Sequence, residues 1–375
     1  MLGPGRSRPT DHEESAGQKH GLVGRVNRHP DASDKERSLR TYEYPKLGLS
    51  NLTVVEREMP RPEPWEVVVK FGAVSLNYRD LLFARGLYNS SPTFPAVPCS
   101  DGAGEVTAVG ERVTRWKTGD RVCPIFMQGW VEGPLTPTKA RSALGAGDLD
   151  GVLREYAAFH EQGLVQIPGH LSYEEAATLP CAAVTAWNAL VHVGKLKAGD
   201  TVLTQGTGGV SIFAIQLAKL QGARVIATAN SDEGLARVRE LGADETIDYK
   251  TTPEWDQVVL SLTDGVGVDQ VVEVGGAGTL ARSLKATRVE GLVAMIGVLT
   301  GSSGVDLMDV VMKSIRLQGI LVGSRQMFEN MNRAIAVGQL RPVIDRTFSF
   351  TQVPEALEYL QRGSHFGKVV IQMGE

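Results

Sequence analysis

The run Thr201-Val-Leu-Thr-Gln-Gly206-Thr-Gly208-Gly209-Val210-Ser211 decides the fold. Strand-forming residues 201–205 pass through glycines into 209–220 (GVSIFAIQLAKL). Apolar side chains at Val210, Phe213, Leu217 and Leu220 make the stripe of a helix that covers a sheet. A strand that turns on glycine into a helix leaves backbone N–H groups at a helix N-terminus, where the dipole favours an anion. Gly206 permits the tight turn. Gly208 and Gly209 let the backbone close on a pyrophosphate, with Val210 next in the same cradle. Ser211 takes the third fingerprint position, and a small side chain there still allows close helix packing. The alternative, glycines that serve only a turn, lacks a reason for the strand before and the helix after.

Outward from this turn, strands are expected at 201–205, 224–229, 245–248, 269–274, 292–297 and 317–322, with helices between most of them. Six strands in two βαβαβ halves make a doubly wound Rossmann plan. Before it, from Thr41 to about Pro168, the chain is β-rich and broken by turns. Strands are expected at 67–74 (VVVKFGAV), 104–110 (GEVTAVG) and 120–122, one helix at 77–84 (NYRDLLFA), and a long surface loop over 128–151. This reads as a β-barrel-like unit. The last strand, 368–372, is expected to return to it. The organisation is then a tail over 1–39, a barrel over 40–168, a cofactor domain over 169–325, and a return to the barrel over 326–375.

Composition narrows the class. The 375 residues suit two domains, and 39 Lys plus Arg against 43 Asp plus Glu give a net charge of -4 with no block of one sign. That argues against nucleic acid or an anionic membrane as partner. No apolar run approaches the ~18 residues of a membrane span. Cys99, Cys123 and Cys181 contain no CxxC, and we read them as reduced thiols in a cytoplasmic compartment. Residues 1–39 have no apolar core of a secretory signal and read as a disordered tail or leader.

The strand at 224–229 ends at Ala229, and Asn230-Ser231 follow, twenty-four residues past Gly206, where an NAD enzyme places an acid for the ribose 2'-hydroxyl. Asn230 is neutral. Asp232 and Glu233 come next, but Asp232 also suits a helix N-terminal turn. A missing acid at the strand tip leans towards NADPH, with NADH as the alternative.

Several ordered motifs now carry a resemblance: 73–80 (AVSLNYRD), 98–106 (PCSDGAGEV), 179–187 (LPCAAVTAW), the glycine turn, and 363–371 (GSHFGKVVI). Together they resemble the medium-chain dehydrogenase/reductase superfamily, and within it the zinc-independent, quinone-oxidoreductase-like branch. The resemblance implies a GroES-like β-barrel catalytic domain beside the Rossmann domain, and a homodimer paired through the edge strand at 314–323. The catalytic zinc ligands of the alcohol dehydrogenases in this superfamily fall on Asn77, on Ser100 with Asp101 after it, and on Cys181. Only one thiol remains, and a zinc site needs about three protein ligands. No metal is therefore expected, and Cys181 reads most simply as a small buried residue. The histidines show no HxxH or HExxH spacing.

The resemblance also implies site residues. Asn77, Tyr78, Arg79 and Asp80 would face the nicotinamide cleft. Tyr88 matches the proton-donating tyrosine of enoyl reductases, and Asn77 and Tyr78 are the other catalytic candidates; plain packing is the alternative for both tyrosines. Cofactor contacts are expected from Asn77, Arg79, Asp80, Thr185, Gly206, Gly208, Gly209, Val210, Asn230, Ser231, Tyr249, Val274, Gly297, Leu299, Val322, Ser324, Phe366 and Lys368. Relatives read Ser-Ser-Asp-Glu-Lys where this chain has Asn230-Ser-Asp-Glu-Gly234, so one contact to a 2'-phosphate is missing. The expected chemistry is hydride transfer from a nicotinamide cofactor to an activated alkene or quinone-type small molecule. An alcohol or aldehyde dehydrogenase and a non-catalytic dinucleotide-binding redox sensor are the rivals.

Overall fold

Six parallel strands form the sheet that the glycine turn leaves. In the computed structural model, which describes residues 38–89, 91–297, 299 and 308–374, the strands before it are β1 (Ser38–Glu43), β2 (Thr53–Glu58), β3 (Glu66–Leu76), β4 (Asp101–Val109), β5 (Arg121–Pro124), β6 (Tyr156–His160) and β7 (Leu164–Gln166). The parallel sheet then holds β8 (Thr201–Gln205), β9 (Arg224–Ala229), β10 (Glu245–Asp248), β11 (Val268–Glu273), β12 (Thr287–Met295) and β13 (Arg316–Gly319). Its order is β10-β9-β8-β11-β12-β13, so β8 and β11 flank the point where the connections reverse direction. Ligands of such sheets bind at the carboxyl ends of the strands there.

The second sheet is the barrel layer, ordered β14-β15-β3-β4-β5-β7 with β6 also on β3, where β14 is Ile344–Ser349 and β15 is Lys368–Gln372. β15 lies antiparallel to β3, Val369 opposite Leu76, although the two are almost three hundred residues apart. The chain is a mixed α/β protein with a GroES-like barrel and a Rossmann sheet, as the sequence implied.

Helix α1 (Tyr78–Ala84) follows β3, and α2 (Gly209–Leu220) follows the glycine turn. α2 is buried on a wider arc than its stripe suggested. Ile212, Phe213, Ile215 and Leu217 are all buried, while Leu220 is exposed and Val210 half-buried. The cause is a second covering layer. Trp187, Leu190, Phe328, Met331 and Ile335 share one core with α2 and the sheet residues Val202 and Val225, so the helix is covered on two sides.

Three expectations are corrected. The strand over 317–322 is only Arg316–Gly319, because Ser314 (φ 50°) and Val322 (φ 51°) turn the backbone left-handed at either end. The loop over 128–151 is not a surface loop throughout: it carries a short helix, Pro137–Ala140, and buries Trp130, Ala143, Leu144 and Ala146. Ser38 and Leu39, placed in the tail, begin β1, and Leu39 is buried; residues 1–37 lie outside the described residues. No helix among the described residues is long and apolar enough to cross a membrane.

Candidate active site

At the phosphate end, Gly206 takes φ +70° and Gly208 caps α2 in extended backbone with no side-chain cap. A Cβ at either glycine would meet nothing within 4 Å, so the turn is open on that side. Gly209 differs: its Cβ would lie 2.6 Å from Lys368 Cδ, so this glycine makes room for a side chain rather than for a phosphate. Ser211 is buried and donates its hydroxyl to the Gln205 carbonyl at 2.6 Å, tying helix to strand. Gly367 donates its N–H to the Thr207 carbonyl at 2.8 Å, which holds the segment before β15 against the turn. An open glycine turn at an uncapped helix N-terminus fits a dinucleotide pyrophosphate.

At the next strand tip Asn230 is exposed. Ser231 caps helix α3 (Asp232–Glu240), accepting from the Gly234 N–H at 3.1 Å, which leaves Asp232 and Glu233 as exposed first-turn residues. Tyr249, half exposed, is raised by burial, and a hydrogen bond with the Asn230 side chain works against the rise. These three residues stand together. Phe366 is buried, with the Arg237 guanidinium 3.9 Å from its ring centre.

Under the strand ends, Gly297 allows a close approach, because a Cβ there would lie 2.2 Å from the Val274 carbonyl. Val274 and its neighbours are held by Glu273, a fully buried carboxylate. It accepts from the N–H groups of Gly275 (2.8 Å) and Gly276 (2.9 Å), the Thr279 hydroxyl (2.6 Å), the Gln205 amide (2.9 Å) and the Ser283 hydroxyl. This clamp lay outside the sequence reading, since its members only converge once β8 and β11 are neighbours. The Val322 carbonyl accepts from Asn188 Nδ2 at 2.7 Å, and the buried Ser324 caps helix α4 (Arg325–Gly338). Thr185 is buried and donates to the Cys181 carbonyl at 2.7 Å; Leu299 is exposed.

The barrel side of the cleft is built on α1. Asn77 precedes the helix, its N–H donating to Asp80 Oδ2 at 2.8 Å and its Oδ1 accepting from Lys368 Nζ at 2.6 Å. Lys368 Nζ also donates to the Leu76 carbonyl at 2.7 Å. Asn77 Nδ2 is buried with no partner among the described residues. Arg79 and Asp80, both buried, turn into the barrel. Their side chains pair at 3.2 Å, and the guanidinium donates to the carbonyls of Gly145 (3.1 Å) and Leu144. Burial pushes the Asp80 carboxyl up, against the pull of Arg79 and the Asn77 N–H.

The two tyrosines separate. Tyr78 is 43% exposed, whereas Tyr88 is part-buried and lines a cavity of about 310 Å³ together with Met127, Ala143, Ala146, Leu321, Arg141 and Asp148. Burial raises the Tyr88 phenol, with Arg79 opposing. A larger groove of about 530 Å³, bounded by Trp116, Pro168 and Arg333, holds none of the expected site residues.

The zinc positions do not fit a zinc ion. Ser100 donates to Asp101 Oδ1 at 2.6 Å, and Asp101 Oδ2 accepts from the Cys181 N–H at 3.0 Å, so that carboxylate is engaged within the protein. Cys181 is the one thiol at these positions, whereas a zinc site needs about three protein ligands. The Lys368 ammonium already holds the Asn77 oxygen. Among the described residues no group of three or more His, Cys, Asp or Glu could hold a metal.

Comparison with known proteins adds to this geometry. A family model described as alcohol dehydrogenase GroES-like domain matches residues 63–169, and one described as zinc-binding dehydrogenase matches residues 209–336. A zinc-type alcohol dehydrogenase-like protein of Schizosaccharomyces pombe is 42% identical over 87% of this chain and 96% of its own length. A solved NAD-dependent alcohol dehydrogenase is 34% identical, with a TM-score of 0.81 over 89% of this chain and all of the other. The quinone oxidoreductase of Pseudomonas syringae pv. Tomato DC3000 is 30% identical, with a TM-score of 0.75 over 89% of this chain and all of the other.

Proposed function

This chain belongs to the medium-chain dehydrogenase/reductase superfamily, in the branch of zinc-type alcohol dehydrogenase-like proteins and quinone oxidoreductases, and from that premise we propose that it reduces activated alkenes or quinones with NADPH and without zinc. It is an oxidoreductase that takes a nicotinamide dinucleotide and acts on small molecules. The observation that carries the finer reading is Asn77, whose buried Nδ2, without a partner among the described residues, sits in place of a metal ligand and is a hydrogen-bond donor where a carbonyl oxygen needs one.

When bound, the reduced nicotinamide supplies a hydride to the electrophilic carbon of the acceptor. Negative charge then gathers on the acceptor oxygen, and Asn77 and backbone N–H groups of the cleft meet it. Tyr88 supports the second half of the reaction. Its phenol, kept protonated by burial, gives a proton to the α-carbon, so that the acceptor gains one hydride and one proton in all. The apolar cavity walls, Met127, Ala143, Ala146 and Leu321, suit a small uncharged acceptor. The free thiols suit a reducing cytoplasm.

The test is steady-state oxidation of NADPH and NADH against panels of enals, quinones and aldehydes, together with metal analysis of the purified protein. Turnover of enals or quinones by a protein without stoichiometric zinc is expected. Alcohol oxidation or aldehyde reduction that exceeds both, or activity lost to a chelator, would replace this reading with an alcohol dehydrogenase. No turnover with any acceptor despite tight cofactor binding would leave a redox sensor.

A further inference from the structure

We propose that Lys368 is a positioning residue that fixes which way the Asn77 amide faces, so that Asn77 Nδ2 is the donor that meets the acceptor oxygen. The inference rests on the reductase reading above and adds to it the residue that sets the donor.

The topology supplies the contact. Val369 pairs with Leu76 across β15 and β3, so one step further along the ladder brings Lys368 to Asn77. Lys368 is 3% exposed, and its ammonium donates to the Leu76 carbonyl and to Asn77 Oδ1. An ammonium has donors only, so the amide must turn its oxygen to Lys368 and its nitrogen away. The Asn77 main chain is fixed as well, by its N–H bond to Asp80. The amide oxygen faces the Asp80 N–H in a capping box, and the close hydrogen bond that holds it is the one from Lys368 at 2.6 Å.

The nitrogen so placed is buried and has no acceptor among the described residues. A buried donor left unpaired is costly unless a bound molecule supplies the partner. The ammonium also polarises the amide, which strengthens the N–H groups on its far side. Gly209 is a second, independent sign of the arrangement. A Cβ there would strike Lys368 Cδ at 2.6 Å, so a glycine of the phosphate turn is what lets the lysine chain run past the start of α2 to reach Asn77.

The experiment is a double-mutant cycle on kcat with the best acceptor, using Lys368→Met, Asn77→Ala and the pair, with NADPH affinity from fluorescence titration and thermal melting as a check of folding. Asn77→Ala should lower kcat by about 10²-fold or more, the scale of a lost oxyanion donor. Because the Lys368 ammonium is engaged by the Leu76 carbonyl and Asn77 rather than held out as the cofactor contact the sequence suggested, Lys368→Met should lower kcat by roughly tenfold or more with NADPH affinity within about threefold, and the double variant should be no slower than Asn77→Ala. Multiplying effects in the double variant would mean that Lys368 does not act through Asn77, and would overturn the proposal. Should Lys368→Met fail to fold, Asn77→Asp decides. It keeps a partner for Lys368 but puts an oxygen where Nδ2 stood, so kcat should fall below that of Asn77→Ala; a rate equal to or above it overturns the proposal. A wild-type chain inert to every enal and quinone would overturn the reductase reading and this inference with it, whereas an active wild type with a multiplicative cycle overturns the inference alone.

Discussion

Arg79 lies against Tyr88, its guanidinium carbon 5.4 Å from the ring centre and 4.8 Å from that of Phe126. The cation locks the tyrosine ring at the cavity wall and opposes the rise that burial imposes on its phenol. The net shift is upward, so Tyr88 remains an acid throughout the neutral range. Tyr88→Phe should lower kcat by ~10²–10⁴-fold with NADPH affinity unchanged. The wild-type rate should stay level through neutral pH and fall only when the medium exceeds the ordinary phenol value of ~10. Near-full activity of Tyr88→Phe with chemistry rate-limiting would move the proton to Tyr78 or water.

The two neighbouring glycines of the turn should respond differently to alanine. At Gly208 a methyl group meets none of the described residues within 4 Å but would enter the space of a pyrophosphate, so Gly208→Ala should weaken cofactor binding at least tenfold with an unchanged melting temperature. At Gly209 the same methyl strikes Lys368, so Gly209→Ala should lower the melting temperature and kcat together. Equal behaviour of the two variants in melting and titration would contradict the placement of Lys368.

Cofactor choice should follow Asn230. A neutral side chain at this tip, beside Tyr249 and Ser231, tolerates a 2'-phosphate that a carboxylate would repel. NADPH should bind at least as tightly as NADH, and Asn230→Asp should reverse that order by tenfold or more in paired titrations. Tighter NADH binding by the unaltered chain would mean that Asp232 or Glu233 turns to the ribose.

Glu161 gives a pH dependence of stability. Burial pushes its carboxyl up, but the N–H groups of Thr114 (2.8 Å) and Arg115 (2.9 Å), the Gln162 side chain and the Arg115 charge together outweigh it, and the net shift is downward. A carboxyl lower in the folded than in the unfolded chain adds stability above the unfolded value of ~4.3, and that stability is lost as pH falls through the folded value. Melting temperature should therefore hold from neutral pH to about 5 and drop below ~4.3, with a shallower drop in Glu161→Gln. An equal drop in both proteins would assign the acid sensitivity elsewhere.

β13 is exposed along all four residues, Arg316–Gly319, and forms one edge of the parallel sheet. A bare edge invites pairing, and a two-fold axis beside β13 would cover it with its own copy. Sedimentation at micromolar concentration should show a dimer, which Leu317→Lys weakens; a monomer would count against this edge as an interface.

The Rossmann sheet was legible because its signals are local. β8, β9, β10 and α2 match the expected bounds residue for residue, since each ends at a glycine or a polar tip. β13 was overextended because left-handed backbone at Ser314 and Val322 leaves no mark in an apolar run. In the site, the glycine turn and the tyrosines could be named from sequence. The bond from Lys368 to Asn77 and the Glu273 clamp could not, because they join residues that approach only through strand neighbours distant in the chain. Arg79 and Asp80 show the reverse: charges in a motif suggest a ligand, yet here they lie buried as an ion pair, with the guanidinium on carbonyls of the 128–151 segment.

The pairing of β15 with β3 also sets an order of assembly during synthesis. The barrel layer lacks its β14-β15 border until the ribosome has delivered the whole cofactor domain and the residues beyond it. A nascent chain must therefore hold the 73–76 half of one β3 edge open for nearly three hundred residues, β6 covering only the 66–70 half, and such a long-range closure slows folding and exposes an edge to other chains. A truncation that removed β15 would leave the nascent barrel open and also delete the lysine beside Asn77, so losses at the extreme C-terminus should read as failures of solubility and of turnover at once.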